Sequence, residues 1–297
     1  MSLNRRQFLK LSGLGLGAAL LPSQNVVASG MLRAENEVAI LYDTSKCIGC
    51  RACQNACRDW NGTPAEPDAS GLYDAPTGLS ADTWTLIKVR TGAKPADWPF
   101  FNYQCMHCTD AACVAVCPTG ALYKDERGFV ALNRDICNGC GYCTQFCPFG
   151  VPHLAGVNLV TGRAKSAKCT FCQDRIWAGM GGPFCVEHCP TEALTWGRRS
   201  ELLSQAKDRV TELKVQGYSN AMLYGEREAA GLHRLSVLLD SPAAYGLPKD
   251  PQPPITFANV WRKVIQPLGA VAFGATVVGV TGAFVLIRRN IRMEEVE

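Results

Sequence analysis

The stretch CNGCGYCTQFCP, residues 137–148, places four cysteines in the order C-x2-C-x2-C-x3-C, with a proline directly behind the last one. The chain of 297 residues contains sixteen cysteines, and they fall into four sets that each end in the same C-x3-C step. The middle spacing grows to x4 in the second set and to x12 in the fourth. The sets are Cys47, Cys50, Cys53, Cys57; Cys105, Cys108, Cys113, Cys117; Cys137, Cys140, Cys143, Cys147; and Cys169, Cys172, Cys185, Cys189.

This spacing is typical of ligands to iron-sulfur clusters. In the bacterial ferredoxin run, C-x2-C-x2-C wraps three thiolates around one cluster, and the last cysteine reaches a second cluster. Sixteen such cysteines predict four [4Fe-4S] clusters. Disulfides are a poor alternative because C-x2-C pairs seldom bridge, and a zinc ribbon does not need the far cysteine. A three-iron centre in one set stays open.

The sets also form an internal repeat of two alternating types. The first and third sets begin with C-x-G-C, at Cys47 and Cys137, whereas C-P-T-x-A-L follows in the second and fourth sets, at Cys117 and Cys189. Residues 121–132, between the second and third sets, have the pattern of a strand, a turn and a strand. We therefore expect sets two and three to form one ferredoxin-like half, and sets one and four the other.

If each far cysteine crosses to the partner cluster, the sixteen residues divide into four ligand groups. They are Cys47, Cys50, Cys53 with Cys189; Cys57 with Cys169, Cys172, Cys185; Cys105, Cys108, Cys113 with Cys147; and Cys117 with Cys137, Cys140, Cys143. All sixteen are predicted iron ligands.

Composition limits the other functions. The formal charge of +4 leaves out sixteen thiolates, so the protein is expected to be acidic near its clusters, and nothing suggests nucleic acid. No nucleophile-base pair or phosphate loop stands out, so no catalytic residue is predicted. The four histidines are separated in the sequence and are interpreted as ordinary polar residues: His107, His153, His188 and His233.

The N-terminus has the pattern of an export signal over residues 1–28. Arg5 and Arg6 precede an uncharged stretch, residues 11–21, and no acidic residue occurs before Glu35. The pair of arginines resembles a twin-arginine signal, and that route carries folded cargo. Because clusters inserted in the cytosol contribute to folding, such cargo is expected here, with the cluster domain on the periplasmic side.

The C-terminus has the pattern of a membrane anchor. Residues 264–287 contain 24 positions without a charge, against the roughly 20 that cross a bilayer. Basic residues flank the stretch on both sides, and we expect Pro267 in the first turn of the helix. Its many glycines and alanines favour packing against other membrane helices.

These patterns predict an α+β protein of two ferredoxin-like halves with insertions, followed by a single C-terminal transmembrane helix. The extension after the clusters contains an amphipathic helix over residues 200–215 and a strand over residues 234–240. The predicted organisation is a signal peptide 1–28, a four-cluster domain 31–199, a small α/β extension and linker 200–258, a transmembrane helix 262–288 and a cytoplasmic tail 289–297.

The four sets in this order resemble the iron-sulfur (beta) subunit of the molybdopterin oxidoreductase family. Three stretches are similar to the beta subunit of respiratory formate dehydrogenase: CRDWN at 57–61, KCTFC at 168–172 and YGLPKDP at 245–251. The resemblance covers roughly residues 38–290. It implies a non-catalytic electron-transfer subunit in the bacterial inner membrane, working between a large molybdopterin (Mo or W) catalytic subunit and a membrane cytochrome b that passes electrons to quinone.

Other functions stay open because that beta subunit often lacks its own signal. The iron-sulfur subunit of a periplasmic uptake nickel-iron hydrogenase carries both a signal and an anchor. A subunit of another respiratory molybdopterin oxidoreductase, or a non-redox assembly scaffold, would also fit the chain.

Overall fold

The computed structural model describes residues 36–65, 76–89, 100–156, 164–252 and 255–290. The predicted signal 1–28 and most of the predicted tail 289–297 lie outside these ranges. The described part contains both helices and strands, so a mixed fold of helices and strands is confirmed.

A four-stranded sheet joins the two ends of the cluster region. Its strands are β1 (Val38–Asp43), β8 (Leu194–Arg198), β9 (Met222–Tyr224) and β10 (Arg234–Leu238), in the spatial order β8-β1-β10-β9. Strand β1 pairs antiparallel with β8 and parallel with β10. The sheet therefore combines two strands from the predicted four-cluster domain, β1 and β8, with two strands from the extension that follows residue 199, β9 and β10.

Helix α6 (Arg199–Val215) covers one face of this sheet. Its buried Leu202, Ala206 and Leu213 pack against Ala39 and Leu235 of the sheet. This confirms the amphipathic helix predicted for residues 200–215, because the apolar spacing of 3.6 residues matches the face that the sheet buries. The strand predicted for residues 234–240 is present and ends at Leu238.

Three antiparallel hairpins surround the cysteine loops. Their strands are β2 (Thr85–Val89) with β3 (Phe100–Gln104), β4 (Leu122–Lys124) with β5 (Val130–Leu132), and β6 (His153–Ala155) with β7 (Lys165–Ala167). The strand, turn and strand predicted for residues 121–132 are thus confirmed.

The cysteine loops lead into short helices. These are α1 (Ala52–Asn61), α2 (Ala112–Ala115), α3 (Tyr142–Phe146), α4 (Gln173–Trp177) and α5 (Phe184–Glu187). Residues with positive φ stand immediately before three of them: Arg51 at 61°, Gly141 at 77° and Cys172 at 50°. This left-handed step turns the chain from the thiol loop into the helix.

The C-terminal segment is one helical run. It comprises α7 (Ile255–Val260), a π-helical turn (Trp261–Ile265) and α8 (Gln266–Asn290). Within it, Lys263–Val285 is long and apolar enough to cross a membrane. The most apolar part of this segment is not buried against the rest of the chain. Pro267 is the second residue of α8 and lies in its first turn, as expected, although a π turn precedes the helix; the π turn suits a residue without a backbone N–H.

Candidate metal centres

The first group of neighbouring thiols combines the near cysteines of the first set with the far cysteine of the fourth. Burial, and then the charges of Cys47, Cys189 and Cys50, raise the pKa of Cys53 to about 12. Burial also raises the pKa of Cys47; hydrogen bonds with Tyr42 and Gly49 oppose that rise, and the charges of Cys189 and Cys50 add to it. Asn102 donates a hydrogen bond from Nδ2 to the Cys53 Sγ at 3.4 Å. These four thiols therefore face one another.

The second group contains Cys57, Cys169, Cys172 and Cys185. Burial, and then the charges of the other three, raise the pKa of Cys185 well above its ordinary value. The backbone N–H groups of Phe171 and Phe184 each donate to a sulfur of this group at 3.5 Å, at Cys169 and Cys172 respectively. The far cysteine of the first set thus lies with the near cysteines of the fourth.

The third group contains Cys105, Cys108, Cys113 and Cys147. Burial, and then the other three charges, raise the pKa of Cys108 well above its ordinary value. Backbone N–H groups of residues 149–151 bond to Cys147 and oppose the rise that burial causes in its pKa. Such donors stabilise a thiolate, which is the form that binds iron.

The fourth group contains Cys117, Cys137, Cys140 and Cys143, and all four line a single cavity. Burial raises the pKa of Cys143, and a hydrogen bond from Ser166 opposes that rise. The Ser166 N–H donates to Cys137 Sγ at 3.3 Å, and the Leu122 N–H donates to Cys117 Sγ at 3.5 Å. The strands β4 and β7 therefore position this group.

The thiol geometry distinguishes between the alternative chemistries. All sixteen cysteines are free of disulfides. A zinc ion holds all its thiolates about 2.3 Å away, which brings them close together. Within the described ranges, no three His, Cys, Asp or Glu side chains lie close enough to hold one metal ion in this way. Four thiols around one space, with N–H donors on their sulfurs, fit a cluster of several iron atoms.

The groups form a row in the order of their numbering. Cys53 of the first group interacts with Cys185 of the second. Cys169 of the second interacts with Cys105 of the third, and Cys113 of the third interacts with Cys143 of the fourth. A thiol of each group therefore interacts electrostatically with a thiol of the next group in the row.

The far end of this row lies beside the C-terminal helical run. Tyr142, next to Cys143 in helix α3, packs edge-on against Trp261 with ring centroids 6.0 Å apart. Helix α2, which carries Cys113, contacts helix α7. At the other end, Cys50 is exposed. An exposed thiol therefore lies at each end of the row, since Cys140 of the fourth group is exposed as well, and only the fourth group lies beside the candidate membrane segment.

Two of the four histidines are not ordinary polar residues. His107 is 1% exposed and His233 is 0% exposed, and their backbones are joined by a hydrogen bond. The His107 Nδ1 accepts from the Val130 N–H at 3.1 Å, and burial lowers the His107 pKa well below its ordinary value. The expectation of four separate, ordinary polar histidines is therefore wrong for this pair.

The sequence did not identify several buried polar residues near the cysteines. Lys168 and Arg234 are each 1% exposed, and Asn102 is 1% exposed. Lys168 stands directly before Cys169, which is a signal that a charged residue adjoins the second group. Nothing in the sequence around Arg234 separates it from the exposed arginines.

The comparisons with known proteins agree with this site. The 4Fe-4S dicluster domain model matches residues 96–199. The chain is 38% identical to the formate dehydrogenase iron-sulfur subunit of Haemophilus influenzae, over 88% of this chain and 84% of that protein. It is 39% identical to the nitrate-inducible formate dehydrogenase iron-sulfur subunit of Escherichia coli K12, over 88% and 89%. It is 30% identical to the hydrogenase-2 operon protein HybA of Escherichia coli O157:H7, over 97% and 96%.

Proposed function

Since the chain belongs to the family of formate dehydrogenase iron-sulfur subunits, we propose that it is the electron-transfer subunit of a membrane-bound respiratory formate dehydrogenase. It is not catalytic by itself; a separate catalytic subunit oxidises the substrate, and this chain carries the electrons away. The observation that carries the proposal is the row of four cysteine groups ending beside the candidate membrane helix.

Each group would hold one [4Fe-4S] cluster, which supplies a one-electron carrier when bound. The ligands would be Cys47, Cys50, Cys53, Cys189; Cys57, Cys169, Cys172, Cys185; Cys105, Cys108, Cys113, Cys147; and Cys117, Cys137, Cys140, Cys143. The chain's own contribution is to bury the thiols, to donate N–H groups to their sulfurs and to exclude water. Iron binding then has to displace protons from thiols whose pKa values burial has raised.

The predicted two halves are part of the proposal. Sets two and three would form one ferredoxin-like half around the β4-β5 hairpin, and they supply the third and fourth groups. Sets one and four would form the other half, and strands β1 and β8, which flank them, pair antiparallel. The third and fourth groups take all their cysteines from sets two and three, and the first and second groups take theirs from sets one and four. This division supports the arrangement in two halves.

The partners and the orientation follow from the two ends of the row. The large molybdopterin (Mo or W) subunit would deliver electrons at the first group, which is the end of the row away from the candidate membrane helix. A membrane cytochrome b would accept them beside the transmembrane helix 262–288 and reduce quinone. With a twin-arginine signal at 1–28, the cluster domain 31–199 and the extension 200–258 would lie on the periplasmic side of the inner membrane, and the tail 289–297 inside.

Purification of the complex in detergent tests the proposal. We expect about sixteen iron atoms per chain, as four cubanes require, together with molybdenum or tungsten in the large partner. Formate should reduce the clusters. Nickel in the large partner, or clusters that hydrogen reduces and formate does not, would contradict the assignment to formate.

A second function is favoured by one observation. The alignment to the hydrogenase-2 operon protein covers 97% of this chain, which leaves only about nine of 297 residues outside it. The similarity therefore extends into the 28 residues of the predicted signal, whereas the alignments to the formate dehydrogenase subunits cover 88%. An iron-sulfur subunit serving a nickel-iron hydrogenase is the alternative, and the same metal analysis separates the two.

A further inference from the structure

Two buried cations lie among the cysteine groups without a carboxylate partner. Arg234 and Lys168 are each 1% exposed. Both donate their hydrogen bonds to uncharged oxygens, and in the described part of the chain no Asp or Glu forms an ion pair with either. A buried charge is costly unless an opposite charge compensates it. Their compensation has to come from something other than a carboxylate.

Arg234 adjoins the first and second groups. Its guanidinium lies over the Tyr42 ring at 4.8 Å and donates to the Asn102 Oδ1 at 2.8 Å. Asn102 in turn donates to the Cys53 Sγ of the first group at 3.4 Å. The charges of Cys185 and Cys53 both act on the guanidinium, which links it to the second group as well. Burial lowers the Arg234 pKa to about 10, which leaves it charged at neutral pH.

Lys168 adjoins the second and third groups. Its Nζ donates to the carbonyl oxygens of Cys169 and Val130, each at 2.8 Å. Cys169 belongs to the second group. Burial raises the pKa of Cys113 in the third group, and the Lys168 charge opposes that rise. Lys168 therefore acts on thiols of two successive groups, as Arg234 does one step earlier in the row.

We propose that Arg234 and Lys168 are fixed counter-charges of the electron path, each raising the reduction potentials of the two successive clusters that it adjoins. The inference rests on the proposed function, since it requires a cluster in each group. A cluster gains negative charge when it is reduced, so a fixed positive charge nearby in a poorly screened interior stabilises the reduced form. The second cluster adjoins both of these cations. The fourth adjoins neither.

Lys124 provides a matched comparison. It is only partly buried, and it donates to the carbonyl oxygen of Cys108 at 2.8 Å. The thiols that act on it, Cys108, Cys113 and Cys105, all belong to the third group. Its removal should therefore affect one cluster rather than two.

The test is an EPR-monitored redox titration of the intact complex carrying Arg234→Gln, Lys168→Gln or Lys124→Gln. We expect each of the first two variants to lower two of the four potentials, with one cluster lowered by both and one lowered by neither. Lys124→Gln should lower one. The shift should be at least about tenfold in the oxidised-to-reduced ratio at a fixed potential, equivalent to about 59 mV for one electron.

The variants Arg234→Lys and Lys168→Arg keep the charge and should keep the wild-type potentials. If the two side chains acted only through their shape and packing, these charge-preserving variants would shift the potentials as well. Unchanged potentials, a uniform shift of all four clusters or a rise would overturn the inference. If one glutamine variant loses iron, the other glutamine variant tests the inference by the same criterion, which is the lowering of two of the four potentials. A wild-type complex without four clusters would contradict the proposed function instead, which the iron count shows before any variant is made.

Discussion

Trp60 donates a hydrogen bond from its indole Nε1 to the Asp174 Oδ2 at 2.9 Å, across 114 positions of the sequence. Trp60 lies in helix α1, which carries Cys57, and Asp174 lies in helix α4, which begins directly after Cys172. The Arg175 guanidinium lies over the Trp60 ring at 4.6 Å. The contact therefore ties together the two distant segments that supply the second thiol group.

Trp60→Phe should loosen the second cluster. The substitution keeps an aromatic ring under Arg175 and removes the indole donor, so the expected loss of stability is about 1 kcal/mol. We expect a lower Tm and faster release of iron to a chelator, with the EPR signal of the second cluster lost first. Asp174→Asn retains an oxygen acceptor and serves as the control. Equal iron release from wild type and Trp60→Phe would contradict the role of this contact.

Substitution of a far cysteine by serine should show which cluster that cysteine binds. Cys57 lies with the thiols of the fourth set, and Cys189 lies with those of the first. Cys57→Ser should therefore alter the EPR signal and potential of the second cluster and spare the first, and Cys189→Ser should do the reverse. The two variants control each other. Loss of the first cluster on Cys57→Ser would show that the far cysteines do not cross.

The glycine of the C-x-G-C step should be indispensable in the third set. Gly139 has φ +72°, and a Cβ there would stand 2.0 Å from the Ala164 carbonyl oxygen. Gly120 has a similar φ of +69° with nothing within 4 Å of its Cβ position. Gly120→Ala should thus cost only the left-handed strain, about 1–2 kcal/mol.

Gly139→Ala should destabilise the protein by more than that, because the carbonyl of Ala164 also has to move. Residue 164 directly precedes strand β7, whose Ser166 donates to Cys137 Sγ. We therefore expect the fourth cluster to be lost or altered in Gly139→Ala and retained in Gly120→Ala, as judged by iron content and EPR. Equal effects of the two substitutions would mean that the close approach to Ala164 is not a constraint.

Local patterns accounted for much of this structure. The repeated C-x-G-C step reflects a backbone requirement, since Gly49 and Gly139 both have positive φ and crowded Cβ positions. The helix predicted for residues 200–215 begins at Arg199. Spacing of 3.6 residues and strand-turn-strand patterns depend on near neighbours in the sequence, and such signals can be recognised without the fold.

Long-range pairing could not be predicted in the same way. Strands β1 and β10 are parallel neighbours, with Ile40 opposite Arg234, although most of the chain separates them. The burial of Arg234 follows from this pairing, and so does the position of His233 under the Val38 carbonyl oxygen at 2.7 Å. The sequence around Arg234 has no local feature that distinguishes this buried cation from a solvated one, whereas Lys168 at least adjoins Cys169 in the chain.

Bulky substitution on the small-residue face of the last helix should uncouple the chain from its membrane partner. A Cβ at Gly274 would meet nothing within 4 Å in this chain, so Gly274→Leu should leave the clusters and the Tm unchanged. If the glycines pack against helices of a cytochrome b, the variant should lose that subunit on purification and reduce quinone more slowly, while reduction of a soluble dye stays normal. Val271→Leu replaces one large exposed side chain with another and should behave as wild type. Full quinone reduction by Gly274→Leu would contradict packing at this face, because leucine leaves too little space for a second helix to approach.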